Sequence, residues 1–355
     1  MTTIFFDEPV KISRFDKVKY SWMRKLTKQQ RGYYWTPEEV ELILDSKDFK
    51  SLADHEKHIF ISNLLRQILL DSIQGSSPSE VFGPIISLPE FRSFMKAWEF
   101  FEENIHAESY QHIIDNVFPN ASEIFDRMDS IKEIVECRKD IEKYYKELEY
   151  WNKQMWAVDV GYAKTYDIYE HKKALWLCLH AINALEGIRF YVSFACSWAF
   201  AEVKKMEGNA KIIKLIARDE NLHLAFTQQL IKALPKDDPD FVKISKECAE
   251  ETEALFKSVA DQEKDWAKYL FQHGSMLGLN LELLENYVDY IAYKRATSIG
   301  VKYSPRVKDN PLPWTQKWIG GSEVQVAPQE TQQTQYIIGG IHNDVTLTTF
   351  KGFVL

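Results

Sequence analysis

The chain has 355 residues, of which 45% are hydrophobic, enough to bury the core of one large domain or two ordinary ones. Its net charge of −8 argues against a broad phosphate-binding surface, so no nucleic-acid partner is expected. The four cysteines show no C-x-x-C spacing, and the longest apolar runs, 174–185 and 190–201, are too short to span a bilayer. We therefore expect a protein of the reducing cytoplasm, without signal peptide or membrane helix.

Helical periodicity dominates the chain from residue 54 onwards. The pattern predicts a helix from Asp54 to Ile73 that stops at residues 75–78, Gly-Ser-Ser-Pro, and a second helix from Pro89 to about Asn116. Further helices are predicted over residues 121–155, 172–206, 209–234, 240–273 and 281–298. Residues 158–169 lack the pattern and are compatible with one short β-hairpin. The sequence therefore predicts an all-α, bundle-like domain.

The end of the chain differs in composition from the rest. Residues 320–355 are rich in Gln, Thr and Gly and lack a helical stripe, which is typical of a mobile tail. Their last eleven residues nevertheless include the apolar side chains Val345, Leu347, Phe350, Phe353 and Leu355, which favours a peptide that orders on a partner over one that packs on its own domain. We therefore divide the chain into a helical domain, residues 1–319, and a docking tail, residues 320–355.

Two Glu-x-x-His motifs, at 103–106 and 220–223, place a carboxylate and an imidazole on one face of a predicted helix. Such pairs arise easily by chance among 52 acids and nine histidines, so the motif alone predicts little. Each motif, however, follows a helix that carries another acid in apolar surroundings. Asp71 lies 32 positions before the first motif, and Glu186 lies 34 positions before the second. The chain therefore contains a pseudo-repeat of metal-ligating residue types.

Four helices would thus supply four carboxylates and two imidazoles, the donor set of ferritin-like di-iron and di-manganese proteins. Two metal ions inside an apolar bundle carry about four positive charges, which carboxylates neutralise while imidazoles complete the coordination. An unpaired carboxylate at Asp71 or Glu186 would be costly in such surroundings. We therefore predict a ferritin-like helical bundle with a di-metal carboxylate site.

Several segments resemble one family over essentially the whole chain, the small subunit of class I ribonucleotide reductase. The segments are FFDEPV, YYWTPEEV, DHEKHIFISNL, LLDSIQG, ENIHAESYQHII, NALEGIRFYVSFACSWAFAE, MEGNAKIIKLIARDENLHL, QEKDWAKYLF and VQVAPQE. The resemblance implies a di-iron protein that uses oxygen to make a stable tyrosyl radical. It also implies that the radical is passed to a separate large subunit, which reduces ribonucleotides to deoxyribonucleotides.

The resemblance implies two oxo-bridged iron ions per chain, with manganese as an alternative. The implied metal ligands are Asp71, Glu103, His106, Glu186, Glu220 and His223. The run from Trp98 to His106 is one residue longer than in the family, and Glu102 neighbours Glu103. Glu103 is preferred because only it keeps the i, i+3 spacing with His106. The extra residue could form a π-bulge or could bring Glu102 to the metals instead.

The resemblance also implies roles for residues around the metals. Tyr110, one helical turn after His106, matches the radical tyrosine, and Trp35 matches the tryptophan that supplies the second electron. The implied radical relay runs through Tyr110, Trp35, Asp219, His106 and, in the tail, Tyr336, with Glu330 nearby. Phe190, Phe194 and Ile216 are expected to form the apolar wall that protects the radical.

The expected partners are the large catalytic subunit, docked through the tail, a second copy of the chain in a homodimer, oxygen, and an electron donor. Another di-metal ferritin-like oxidase or desaturase would share the six ligands but would not need Tyr336. Ferritin-like iron storage would need no radical relay, and a purely structural scaffold would leave six polar groups without purpose in apolar helices.

Overall fold

A computed structural model describes residues 2–319, and they form an all-α bundle. The predicted fold class is confirmed. The α-helices are α1 (Ser21–Gly32), α2 (Ile43–Ser51), α3 (Asp54–Phe82), α4 (Pro89–Phe101), α5 (Ala107–Val117), α6 (Ala121–Phe125), α7 (Lys132–Asp159), α8 (Ile168–Ala184), α9 (Tyr191–Glu202), α10 (Glu207–Asp237), α11 (Asp240–Glu247), α12 (Ala249–Leu270), α13 (Leu281–Ser298) and α14 (Gln316–Ile319).

Two wider turns interrupt the long helices. A first π-turn, Glu102–His106, lies between α4 and α5, and a second π-turn, Leu185–Arg189, lies between α8 and α9. A π-turn absorbs one extra residue without ending the helix, and it is frequent at functional sites. Both π-turns carry residues singled out from the sequence.

Helix α9 lies at the centre of the bundle, because every residue from Tyr191 to Ala201 is buried. A helix that is apolar all round needs neighbours on all sides, and α3, α10 and α13 are among those that pack against it. The chain leaves α9 through two residues in the left-handed region, Lys204 and Met206, before α10 begins. None of the described helices is long and apolar enough to cross a membrane.

Three predictions about local structure are wrong. Residues 121–155 do not form one helix but belong to α6 and α7, which are separated by residues 126–131. Helix α3 does not stop near Gly75 but continues to Phe82, with Pro78 inside it. Gly75 allows a close approach instead, since a Cβ there would lie 2.8 Å from Cγ of Glu103. No hairpin forms at 158–169: α7 extends to Asp159, and a turn with Gly161 at φ +81° leads directly into α8. Residues 160–167, which separate the two helices, form turns and irregular backbone without a strand.

Predictions about the tail, including Tyr336, Glu330 and the division at residue 320, lie outside the described residues.

Candidate metal centre

Six side chains from four parts of the bundle converge in its interior. Asp71 comes from α3, Glu102 and His106 come from the first π-turn, and Glu186 comes from the second. Glu220 and His223 lie on α10 and complete the cluster. All six are at most 2% exposed, which is exceptional for so many ionisable groups.

The donor atoms form two overlapping groups, and within each group they lie within 4.8 Å of one another. The first group consists of Asp71, Glu102, His106 and Glu220, and the second of Glu102, Glu186, Glu220 and His223. Glu102 and Glu220 belong to both groups, so each could bridge two adjacent ions. The residue types fit a di-metal site of oxygen and nitrogen ligands.

The expectation for Glu103 is corrected, because Glu102 and not Glu103 joins the cluster. Glu102 is 1% exposed, whereas Glu103 is an exposed residue. In the wide turn, residues at i and i+4 lie as close together as residues at i and i+3 do in a regular helix. His106 Nδ1 therefore lies 3.1 Å from Oε2 of Glu102, four residues before it. The spacing from Trp98 could have identified Glu102 as the ligand, because Glu102 lies four residues, about one helical turn, after Trp98. Trp98 Nε1 donates to Glu102 Oε1 at 3.0 Å.

The two histidines are oriented alike. His106 turns Nδ1 toward the cluster, 3.1 Å from Glu220 Oε1, and His223 turns Nδ1 toward it, 3.0 Å from Glu102 Oε1. Their Nε2 atoms point away: that of His106 lies 3.5 Å from Asp219 Oδ2, and that of His223 lies 2.5 Å from Gln30 Nε2. One ring nitrogen directed inward and the other held by a neighbour is the arrangement of metal-ligating imidazoles.

Burial, followed by the charges of neighbouring groups, shifts the pKa values of the carboxyl groups in the cluster. Burial, followed by the Glu102 charge, raises the pKa of Asp71 well above its usual value and that of Glu220 to about 8. Burial and Glu220 likewise raise the pKa of Glu186. Glu102 differs: burial would raise its pKa, but the adjoining His106 and His223 lower it to about 2. The cluster therefore lacks enough positive charge of its own for four ionised carboxylates.

Several cluster oxygens also lack hydrogen-bond partners. Both oxygens of Asp71 and Oε2 of Glu186 are buried without a hydrogen bond of normal geometry. Buried polar atoms are usually satisfied, and an unsatisfied group can mark an ion site. The donor set and these free oxygens together fit two metal ions.

Tyr110 is buried, 1% exposed, and its hydroxyl makes no hydrogen bond of normal geometry. Burial, followed by the charge of Asp71, raises the pKa of its hydroxyl well above the usual value. The expected apolar residues Phe190, Phe194 and Ile216 are each fully buried. The two phenylalanine rings stack, with 5.3 Å between their centroids. Their protective role stays a prediction.

The structure also brings together three members of the expected relay. Trp35, fully buried, donates from Nε1 to Asp219 Oδ2 at 2.9 Å, and the same oxygen faces His106 Nε2. Arg218 donates to the other oxygen of Asp219 at 3.2 Å. A connected path of side chains therefore leads from Trp35 to the cluster.

Known proteins are similar to this chain in sequence and in fold. The family model described as "Ribonucleotide reductase, small chain" matches residues 13–311. The ribonucleoside-diphosphate reductase subunit beta of Buchnera aphidicola subsp. Baizongia pistaciae is 49% identical, covering 99% of this chain and 96% of its own length. Subunit beta of reductase 1 from Escherichia coli O157:H7 is 45% identical with the same coverage. The ribonucleotide reductase R2 subunit from Clostridium botulinum superposes with a TM-score of 0.78 at 27% identity, over 90% of this chain and 94% of that one.

Proposed function

From a chain that belongs to the ribonucleotide reductase small-chain family and is a small subunit of ribonucleoside-diphosphate reductase, we infer the role of the buried cluster. We propose that the cluster binds two metal ions, and that these ions support oxidation of Tyr110 to a stable radical. The observation that carries the proposal is the pair of overlapping donor groups that share Glu102 and Glu220. Four ionised carboxylates would balance two divalent ions, and binding would displace the protons that repulsion now favours.

The proposed ligands are Asp71, Glu102, His106, Glu186, Glu220 and His223. When bound, two iron ions would supply the electrons that reduce oxygen and the oxidising power that acts on the protein; manganese can occupy the same oxygen and nitrogen ligands.

The neighbours of the two histidines suit this role. An imidazole that binds a metal through Nδ1 carries its proton on Nε2 and needs an acceptor there. Asp219 supplies one for His106. For His223 the acceptor would be Oε1 of Gln30, which is buried and unpaired, after a half-turn of the amide.

Tyr110 is placed to be oxidised because it lies four residues after His106, on the same side of the helix. Loss of an electron from a phenol requires that the hydroxyl proton also leave. Asp71 is the leading charged neighbour of this hydroxyl, so we propose it as the proton acceptor once bound metal ions keep its carboxyl group ionised. Burial of Tyr110 would then keep reductants and water away from the radical.

We further propose that Trp35 delivers electrons to the cluster through Asp219 and His106. The radical path would continue to Tyr336 in the tail of this chain, with Glu330 nearby, and from there to the large subunit. The tail would dock there, and the chain would act as a homodimer with an external electron donor. A cytoplasmic location suits the four cysteines, all buried and unpaired by disulfides.

The proposal is tested by loading the metal-free protein with ferrous iron and oxygen, counting iron per chain, and assaying reduction of ribonucleoside diphosphates with the cognate large subunit. We expect about two ions per chain and activity that depends on both subunits. Tyr110→Phe should keep the iron and lose the activity. Iron uptake with full activity in Tyr110→Phe would overturn the radical mechanism, and failure to bind iron or manganese would overturn the metal site.

A further inference from the structure

Two hydrogen bonds in series connect Glu186 with a tyrosine on a distant helix. The hydroxyl of Tyr145, on α7, donates to Oε1 of Gln74, on α3, at 2.5 Å. Nε2 of Gln74 in turn donates to Oε1 of Glu186, on the second π-turn. Gln74 is 1% exposed and Tyr145 is 6% exposed, so water does not compete for these bonds.

The order of donors and acceptors in this chain is fixed by chemistry. A carboxylate that binds a metal ion is ionised and can only accept a hydrogen bond, so in that state Gln74 must present its NH₂ group to Glu186 and its oxygen to Tyr145. Tyr145 must then donate. Burial raises the pKa of its hydroxyl well above the usual value, so this proton stays in place at working pH. Tyr145 therefore selects the amide orientation that Glu186 needs.

The two oxygens of Glu186 have different surroundings. Oε1 accepts from Gln74, whereas Oε2 is buried without a hydrogen bond of normal geometry, and the neighbouring carboxyl group is Glu220. One oxygen is held by the protein and the other is left for a ligand.

We propose that Gln74, oriented by Tyr145, is a positioning residue that fixes Glu186 so that Oε2 faces the metal. This inference rests on the proposed metal site and adds two residues to it that no Glu-x-x-His motif contains. Glu186 belongs only to the donor group with His223, and not to the group with Asp71. Gln74 and Tyr145 should therefore control the affinity for the ion near His223 and leave the affinity for the other ion unchanged.

The experiment measures binding of manganese(II) to the full-length metal-free protein, with free manganese followed by its electron paramagnetic resonance signal. Wild type should bind two ions per chain. Gln74→Met removes both hydrogen bonds at similar volume. It should lower the affinity for one ion by roughly 10–100-fold, the usual cost of losing a group that orients a metal ligand. Tyr145→Phe removes a single oxygen and should lower the affinity for the same ion by a smaller factor.

The double variant distinguishes positioning from general destabilisation. If Tyr145 acts through Gln74, adding Tyr145→Phe to Gln74→Met should change manganese binding no further. Asn152→Leu is the matched control: Asn152 is a buried amide on α7 that bonds Val81 and His171 instead of the cluster. It should lose stability and keep both ions.

The outcomes separate this inference from the proposed function. Wild type that binds no manganese would overturn both. Two ions of unchanged affinity in Gln74→Met, or losses that add in the double variant, would overturn the positioning role alone. If Gln74→Met does not fold, Tyr145→Phe decides, because unchanged affinity for both ions in that variant would also overturn the role.

Discussion

The two halves of the candidate metal centre use the same residue types on different backbones. On α10, Glu220 and His223 are three residues apart in a regular helix, and His223 Nδ1 lies 3.2 Å from Glu220 Oε2. In the first π-turn, Glu102 and His106 are four residues apart and reach 3.1 Å. The comparison teaches that side-chain geometry can persist when one residue is inserted, provided that the helix widens locally.

Single-residue deletions should separate the two halves most strongly. Deleting Glu103 leaves Glu102 three residues before His106, so the wide turn can revert to a regular helix and two-ion binding should persist. Deleting Asn221 brings Glu220 to i, i+2 of His223 and rotates one of them by about 100°, so uptake should fall below two ions per chain. Metal analysis after loading checks both. Loss of binding in the Glu103 deletion would mean that the π-turn is itself required.

Neutral substitutions at the two adjacent acids give the next largest contrast. Glu102→Gln removes a ligand shared by both donor groups and should weaken binding by more than the roughly 10–100-fold cost of losing a supporting residue. Glu103→Gln changes only an exposed side chain and should leave affinity within about twofold, since surface substitutions are usually nearly neutral. Manganese(II) titration of both variants measures the contrast. A larger loss of affinity in Glu103→Gln than in Glu102→Gln would show that Glu103, and not Glu102, is the metal ligand.

Histidines inside and outside the cluster sharpen the comparison further. Burial alone would lower the pKa of His106, but Glu102, followed by hydrogen bonds to Asp219, Glu102 and Glu220, raises it well above the usual value. His180, also buried, lies on α8, and burial lowers its pKa from 6.5 to about 4, because a hydrogen bond to the backbone oxygen of Trp176 offsets only part of the effect. Carboxylates therefore decide which buried imidazole can be charged.

This difference predicts a pH dependence of folding stability. The folded-state pKa of His180 lies below its unfolded value, so the unfolded chain takes up this proton first as the pH falls. Its contribution to the free energy of unfolding is complete above about pH 6.5 and should decline by about 2 kcal/mol by pH 5. Denaturant unfolding of the metal-free protein at pH 7 and pH 5 measures the decline.

His180→Gln supplies the control for this prediction. Other acid-sensitive groups act equally in both proteins, so the loss of stability between pH 7 and pH 5 should be about 2 kcal/mol smaller in the variant. The variant can be less stable at pH 7 without affecting this difference. Equal losses in the two proteins would contradict the lowered pKa.

The regular elements were predictable from sequence because local patterns determine them. The periodicity of residues 281–298 predicted α13 with its observed bounds, and the motif on α10 placed Glu220 and His223 on one face. The breaker signal at Gly75 and Pro78 failed because packing of α3 against α4, α7 and α9 outweighs a local preference.

The rest of the site depends on contacts between distant residues. The choice between Glu102 and Glu103 required the turn geometry, since either glutamate has a helical spacing to His106. Gln74 meets Tyr145 and Glu186 across separations of 71 and 112 residues, which no local pattern encodes. Sequence reasoning therefore found most of the cluster and the neighbouring Asp219, but it missed Gln74 and Tyr145.

The most direct test of the account is an electron paramagnetic resonance spectrum of the protein loaded with ferrous iron and oxygen, recorded beside Tyr110→Phe loaded in the same way. We predict a tyrosyl signal in wild type and none in the variant, with equal iron in both. Equal iron without a radical in wild type, with electrons supplied in excess, would contradict the assignment of Tyr110 as the residue oxidised by the metal centre.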